Sequence, residues 1–301
     1  MSLRKSSSQR TSLKVINALV LLFSGFFLLN CTERQDEETA RSGKMTFAVD
    51  QQLEDIARIQ TGMFSRYYPE AHITPLPVRS DNTIKLLLDR SVRAAVIDGE
   101  TAAAEDSLFA KRNYPLRREP IARDALVCIV NSKNPLKAIS VKELGELFFT
   151  SSKKGVTPLI ENDYRLRSFL AAKTGKRGSD LRAWTCGSNK ELIMRVSTDK
   201  NAFALLFNSS LDKTLDSGNE PQNTRILLLS GKSGNTPACL PTQQNMFEGS
   251  YPLVTTLYYV YYPGDALAAG FGAWLGSSGQ KAFERSSFAP YRLVERTIIL
   301  K

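Results

Sequence analysis

The stretch Ile121–Phe149, IARDALVCIVNSKNPLKAISVKELGELFF, predicts a strand, a turn and a helix. Its apolar run Ala125–Val130 contains no Gly or Pro, which is typical of a strand that is buried on both faces. The Asn, Ser and Pro residues of Asn131–Pro135 favour a turn. Ser140 and Glu143 have the spacing of a capping box, so a helix is predicted to begin directly after Ser140.

Strand and helix patterns alternate on both sides of this segment. This alternation predicts right-handed βαβ units and a parallel sheet flanked by helices. The region Asn208–Gln222 is predicted as a loop, and Asp50 as the cap of the first helix. The further strands are predicted at Met45–Val49, Ile73–Val78, Val92–Ile97, Val156–Ile160, Ala202–Phe207, Thr224–Leu229 and Leu293–Leu300.

Three segments in the same order resemble a known family. The segment that begins at Ile121 is similar to the strand that enters the second lobe of phosphate-type ABC-transporter substrate-binding proteins. Ser188–Val196, SNKELIMRV, and Gly249–Tyr262, GSYPLVTTLYYVYY, resemble two further motifs of that family. The resemblance extends from about Lys44 to Lys301. It implies an α/β, two-lobed periplasmic-binding-protein-like fold (type II), with mostly parallel sheets flanked by helices.

The resemblance also implies how the chain is divided. Lobe 1 is predicted at 44–124 plus 256–301, and lobe 2 at 125–255. A ligand is expected in the cleft between the lobes. Binding is expected to close the lobes by hinge motion around Arg123–Asp124 and Gly249–Tyr251.

The first thirty residues predict export from the cytoplasm. Basic residues precede the apolar run Val15–Leu29, which has the three-part shape of a secretory signal and is shorter than the roughly 20 residues of a membrane-spanning helix. The sequence Leu28-Leu29-Asn30-Cys31 resembles a bacterial lipobox. Residues 1–30 are therefore predicted as a lipoprotein-type signal peptide and Cys31 as the lipidated residue, with an uncleaved anchor as the alternative. Residues 31–43 are predicted as a disordered acidic linker.

Charge and composition narrow the class of ligand. Without residues 1–30 the chain has 36 basic and 30 acidic residues, a net charge of +6, which suits an anionic ligand. No basic helix stripe or aromatic platform is apparent, so nucleic acid is not an expected partner. The chain has no CxxC motif and its single histidine is His72, so neither a metal site nor a cofactor is expected.

An enzyme is the weakest interpretation of this sequence. Hydrolytic triads need a histidine near a nucleophile, and His72 lies in a strand-like context, so no catalytic residue is predicted. Cys128 is expected in the core. Whether Cys186 and Cys239 form a disulfide is left open, because spacing cannot establish it.

The resemblance implies that an oxyanion is held at helix N-termini, where free backbone N–H groups and the helix dipole favour negative charge. The first candidate is the helix start that contains Ser80, Asp81, Asn82 and Thr83, with ordinary capping as its alternative role. The second candidate is Asp98, which follows a buried strand at the carboxyl edge of a sheet, with a turn as its alternative role.

The third candidate group lies where the family has Ser-Gly-Thr or Ser-Ser-Thr. This chain instead has Glu161–Ser168, ENDYRLRS. Asn162, Arg165 and Arg167 are the predicted ligand residues there, and the alternative for the two arginines is a solvated helix face. The hydroxyl-rich motif of the family is therefore absent from this place.

Together these features predict a monomeric, lipid-anchored binding protein in the periplasm or at the cell surface of a bacterium. It would capture phosphate or a related small oxyanion and deliver it to an ABC transporter permease. Because fold alone does not carry function, the alternative is a ligand-free scaffold or sensor that retains the binding-protein fold.

Overall fold

The computed structural model describes residues 38–101, 103–150, 155–216, 223–232 and 236–293. Contacts separate residues 1–37 from a second compact unit, residues 38–301, and the fold below is that of the second unit. The predicted signal peptide (residues 1–30), Cys31 and residues 294–300 of the predicted last strand lie outside the described residues. Within the described ranges, no helix is both long enough and apolar enough to cross a membrane.

Strands and helices alternate along the described chain. The strands are β1 (Gly43–Asp50), β2 (Ala71–Val78), β3 (Ala94–Asp98), β4 (Arg117–Asn131), β5 (Ala138–Ser140), β6 (Thr157–Ile160), β7 (Trp184–Thr185), β8 (Ala202–Phe207), β9 (Thr224–Ile226), β10 (Leu228–Ser230), β11 (Val254–Tyr261) and β12 (Ala289–Pro290). The helices are α1 (Glu54–Tyr67), α2 (Ser80–Leu88), α3 (Ala103–Lys111), α4 (Val141–Phe149), α5 (Tyr164–Thr174), α6 (Asn189–Thr198), α7 (Asn208–Asp216), α8 (Gln243–Glu248), α9 (Ala266–Leu275) and α10 (Gln280–Phe283).

The principal sheet has the strand order β2-β1-β3-β11-β4-β8-β6-β7. The strands that alternate with helices pair in parallel: β1 pairs with β2 and β3, and β6 pairs with β7 and β8. The long strands β4 and β11 pair antiparallel and connect the two ends of the sheet. This is the predicted α/β architecture of two lobes joined by crossover strands.

Separate hydrophobic cores fill the two lobes. One core of lobe 1 includes Phe47, Phe64 and Phe271, whose rings pack at centroid distances of 5.3 to 5.6 Å. One core of lobe 2 is built around residues such as Phe148 and Phe207. Along β4, Ala122 belongs to the first core and Ala125 to the second, so this strand changes lobe within three residues. The sequence boundaries of the lobes stay a prediction.

Local signals placed several elements correctly. Ser140 forms the predicted capping box with Glu143, in which each side chain accepts the other residue's backbone N–H. The predicted buried strand Ala125–Val130 is the fully buried half of β4. Cys128 is buried there, as expected, and Cys186 and Cys239 are free thiols.

Two local predictions were wrong. Asp50 makes no capping hydrogen bond, because its carboxylate is buried and bonded to residues of other elements. The predicted loop Asn208–Gln222 begins as helix α7, Asn208–Asp216. Its polar sequence concealed the helix, which is held by burial of Leu211 and by hydrogen bonds from Ser209 and Ser210 to buried carboxylates.

The last six residues of the predicted linker, 38–43, have defined contacts. Glu38 forms an ion pair of 2.7 Å with Arg93, which also holds Asp265 at 2.6 Å. The carbonyl of Ala40 packs on α9 at Gly270, where a Cβ atom would lie 2.0 Å from the carbonyl oxygen. This end of the predicted linker is therefore part of lobe 1.

Candidate functional site

A cavity of about 420 Å³ lies between the two lobes. Most of its wall comes from segments at or next to the start of a helix. Lobe 1 contributes Gln51 and Gln52 from the turn before α1, and Arg79 and Ser80 from the start of α2. Lobe 2 contributes the segments 161–163 and 186–190 before or at the starts of α5 and α6, and Ser210, Lys213 and Thr214 of α7.

The helix starts around the cavity leave backbone donors unpaired. Asp163 caps α5 by accepting from the Leu166 N–H at 2.9 Å, and Ser188 caps α6 by accepting from the Glu191 N–H at 3.2 Å. Each cap satisfies one donor, whereas the first turn of an α-helix has several N–H groups without an intrahelical partner. Together with the helix dipoles, these N–H groups give the cavity wall a positive partial charge.

Three basic side chains line the cavity, and they differ in their pairing. Arg79 pairs with Asp81 at 3.3 Å. Lys213 pairs across the lobes with Glu54 at 3.3 Å and Asp55 at 3.6 Å. Lys190, at the start of α6, forms no ion pair with any residue in the described ranges.

Glu161 is a buried carboxyl group on the cavity wall. It accepts hydrogen bonds from Asn189 Nδ2 at 2.7 Å, Ser210 Oγ at 2.7 Å and the Phe207 N–H at 3.0 Å. Burial raises its pKa to about 7, even though these hydrogen bonds lower it. Near neutral pH the group therefore changes its charge inside the site.

Arg165 joins the lobes behind this cavity. It is 3% exposed, and its guanidinium lies 3.4 Å from Asp50 of β1 and 3.4 Å from Glu105 of α3. It also donates to the carbonyl oxygens of Ser80 and Glu100, at 3.4 Å each. Arg165 is thus an ion-paired bridge between lobe 2 and lobe 1, and it is not on the cavity wall.

The strand ends next to Arg165 carry buried carboxyl groups. Asp50 accepts from Thr83 Oγ1 at 2.5 Å and from the Asp98 N–H at 3.1 Å. Asp98 accepts from Thr255 Oγ1 at 2.7 Å, and its Oδ2 has no hydrogen-bond donor in the described part of the chain. On the crossover strand β4, Asp124 accepts from Ser209 Oγ at 2.5 Å.

Burial raises the pKa of each of these carboxyl groups. The pKa of Asp50 is about 6 and that of Asp124 is about 6, both mainly because of desolvation. The pKa of Asp98 is raised well above its ordinary value, first by burial and then by the neighbouring charge of Asp124. At the inner end of the cleft, Arg165 is close to these carboxyl groups, and its charge is already paired with Asp50 and Glu105.

The structure brings only some of the predicted ligand residues to the cavity. Ser80 and Asn162 line it, whereas Asp81 and Asn82 are exposed on α2. Thr83 is bonded to Asp50. The remaining predicted residues lie off the cavity wall: Asp98 buried at the end of β3, Arg165 paired with Asp50 and Glu105, and Arg167 half-buried on α5.

Sequence reasoning missed the cavity residues Gln52, Ser188, Lys190 and Lys213. A signal for two of them was present. The motif SNKELIMRV begins with a Ser and has a Glu three residues later, which predicts a helix start, with Lys190 in its first turn. Nothing in the local sequence placed Gln52 or Lys213 opposite that helix start.

Comparison with known proteins identifies the family to which the chain belongs. The family model of the PBP superfamily domain matches residues 34–278, which is most of the chain. The chain therefore belongs to the PBP superfamily. A search of curated protein sequences finds no significant match.

Solved structures with this fold include transport and regulatory proteins. A Clostridium perfringens protein assigned as a phosphate ABC transporter substrate-binding protein, solved with bound phosphate, has a TM-score of 0.67 at 13% identity, covering 83% of this chain and 100% of its own. An ABC-type phosphate transport receptor from Vibrio cholerae has a TM-score of 0.64 at 18% identity. The match covers 82% of this chain and 100% of the receptor chain. The CcmR regulatory domain from Synechocystis PCC6803, in complex with 2-PG, has a TM-score of 0.51 at 14% identity. The match covers 78% of this chain and 96% of the CcmR chain. At these identities the similarities establish the fold.

Proposed function

We propose that this chain is an extracytoplasmic substrate-binding protein that captures phosphate or a related small anion between its lobes. It is held at a bacterial membrane through lipidated Cys31 and delivers the anion to an ABC transporter permease. The fold is that of phosphate transport receptors, and the sequence 1–31 has the pattern of a lipoprotein signal.

The observation that carries this proposal is the chemistry of the cavity wall. Helix starts from both lobes surround it, and Lys190 contributes a positive charge that has no acidic partner among the described residues. Backbone N–H groups at a helix start together with a basic side chain form the usual protein site for an oxyanion. A site shared by both lobes also couples binding to lobe closure.

The test is thermal unfolding of the purified full chain with phosphate, sulfate or no added anion. A ligand at a hundred times its dissociation constant stabilises the folded state by about 2.7 kcal/mol, which is a shift of several degrees for a protein of this size. We expect a shift with phosphate that Lys190→Gln abolishes. Lys176→Gln changes an exposed lysine outside the cavity and is the matched control. Absence of a shift with any anion would refute the proposal.

One observation favours the alternative of a ligand-free scaffold or sensor. Arg165 of lobe 2 pairs directly with Asp50 of lobe 1, so protein groups alone bridge the lobes at this place. The fold is also that of a regulatory domain. This alternative predicts no small-molecule stabilisation and capture of a defined protein partner by the purified chain, whereas the transport receptor predicts the anion-dependent shift.

A further inference from the structure

The innermost part of the cleft is unsuited to hold an anion. Arg165, a predicted ligand residue, is paired with Asp50 and Glu105 and is almost completely buried. Asp98 lies at the end of β3 and Asp124 lies within the crossover strand β4, and both are buried. Because the charge of Arg165 is already neutralised by Asp50 and Glu105, Arg165 has no uncompensated charge for a ligand. The charge of a ligand therefore needs another cation.

The start of α6 provides that cation. Lys190 lies in the first turn of this helix on the cavity wall, and it has no acidic partner in the described part of the chain. The cap Ser188 uses its hydroxyl for the Glu191 N–H, and the Gly187 N–H donates to the Glu191 carboxylate at 2.9 Å. The N–H groups of Asn189 and Lys190, in the first turn of the helix, have no intrahelical acceptor and are left for a ligand. A compact anionic group such as phosphate fits this combination of a helix start and a cation.

The cavity is much larger than such a group. A water molecule takes about 30 Å³ of liquid volume, so a cavity of about 420 Å³ holds roughly 14 water-sized groups. Inorganic phosphate is one phosphorus atom with four oxygen atoms, and it would fill only a minor part of this volume. The rest of the cavity is available to a carbon-containing body attached to the anionic group.

The opposite wall, in lobe 1, has hydrogen-bonding groups without partners. Ser80 is 5% exposed and lines the cavity, yet its hydroxyl makes no hydrogen bond with the described residues. Gln52 also lines the cavity, and its Nε2 is buried with no partner in the described ranges. The Ser80 hydroxyl is thus available to a ligand in the cavity. The Gln52 Nε2 is a buried donor without a partner, which is costly, so it favours a ligand that presents oxygen atoms to lobe 1.

We propose that the cavity binds an organic phosphate, with its phosphate at Lys190 and the start of α6 and its oxygen-bearing carbon body at Ser80 and Gln52. Ser80 and Gln52 are then the residues that select an organic phosphate over inorganic phosphate. The inference rests on the proposed anion-binding function and adds the class of substrate. Bridging between Lys190 and Ser80 also gives the ligand contacts in both lobes.

The experiment is calorimetric titration of the full chain with inorganic phosphate, glycerol 3-phosphate, phosphoserine and glycerol. We expect at least one of the two organic phosphates to bind about tenfold or more tightly than inorganic phosphate, and glycerol not to bind. Ser80→Ala should weaken the organic phosphate about fivefold, the loss of one hydrogen bond, and leave inorganic phosphate unchanged. Lys190→Gln should weaken both, whereas the control Lys176→Gln should weaken neither.

The outcomes separate the two proposals. If inorganic phosphate binds as tightly as both organic phosphates, the substrate class is wrong and the anion-binding function stands. If Ser80→Ala weakens inorganic and organic phosphate equally while its melting curve matches that of the parent chain, the assignment of Ser80 to the carbon body is wrong. If none of the phosphorylated probes binds, both the substrate class and the proposed function are wrong.

Discussion

Glu161 is a carboxyl group whose ionisation is coupled to folding. Its pKa in the folded protein is about 7, above the ordinary value of 4.5, because the side chain is buried. The folded state therefore binds the proton more tightly than the unfolded chain does. The resulting stabilisation is complete below about pH 4.5 and is lost as the pH rises through about 7.

The test compares the parent chain with Glu161→Gln in urea unfolding from about pH 5 to about pH 8. One pKa unit corresponds to about 1.4 kcal/mol, so the free energy of unfolding of the parent chain should fall relative to that of the variant by about 3 kcal/mol. Asp50 and Asp124 titrate in both proteins, so their contributions to the free energy of unfolding cancel in this difference. Glu70→Gln changes an exposed carboxyl and is the control for replacing a Glu by Gln. A difference between the parent chain and Glu161→Gln that stays constant with pH would contradict the coupling.

At the scale of elements, the packing of the segment 38–43 can be tested by replacing two helical glycines, one crowded by this segment and one in open space. A Cβ at Gly270 of α9 would lie 2.0 Å from the carbonyl oxygen of Ala40, whereas a Cβ at Gly62 of α1 meets nothing within 4 Å. Gly62→Ala should stabilise the protein by about 0.5–1 kcal/mol, since alanine is the better helix former. Gly270→Ala should displace the segment from α9 and lower the free energy of unfolding.

Limited proteolysis and urea unfolding check this pair of variants. Trypsin should cut at Arg41 and Lys44 faster in Gly270→Ala than in the parent chain, because the displaced segment loses the contacts between Glu38 and Arg93. Gly62→Ala should leave that cleavage rate unchanged. Equal cleavage rates in all three proteins would show that the segment does not depend on its contact with α9.

At the scale of the whole molecule, the buried bridge of Arg165 to Asp50 and Glu105 connects the lobes through protein groups alone. Removing one partner of a buried ion pair typically costs about 3–5 kcal/mol, because the other charge is left uncompensated. Arg165→Met should therefore destabilise the protein by about that amount. It should also shift the anion-free protein towards more open conformations with a larger radius of gyration in solution scattering.

Arg167→Met is the matched control for this experiment. Arg167 is on the same helix α5 and forms no ion pair with the residues that the structure describes. Its replacement should change neither the radius of gyration nor the free energy of unfolding by more than about 0.5 kcal/mol. Scattering profiles of Arg165→Met and the parent chain that superimpose would show that the bridge does not hold the lobes together.

The sequence itself determined the alternation of most strands and helices. It also determined the buried strand Ala125–Val130 and the helix start at Ser140. Each depends on residues that are close along the chain: an apolar run, a turn composition, a Ser and a Glu three residues apart. The two-lobed fold was implied by the resemblance of three motifs, in the same order, to one known family. The helix α7 was not predicted, because it is stabilised by tertiary hydrogen bonds from its polar side chains to residues distant in the chain.

Only the tertiary structure decided which polar side chains face the cavity. From sequence, Arg165 and Lys190 are both basic residues in the first turn of a helix, yet Arg165 is paired with Asp50 and Glu105, whereas Lys190 lines the cavity without an acidic partner among the described residues. That difference depends on strand ends and helix starts that come together only when the two lobes meet. Local patterns specify elements because their energies are local, whereas pairing and burial of charge are set by neighbours distant in the chain.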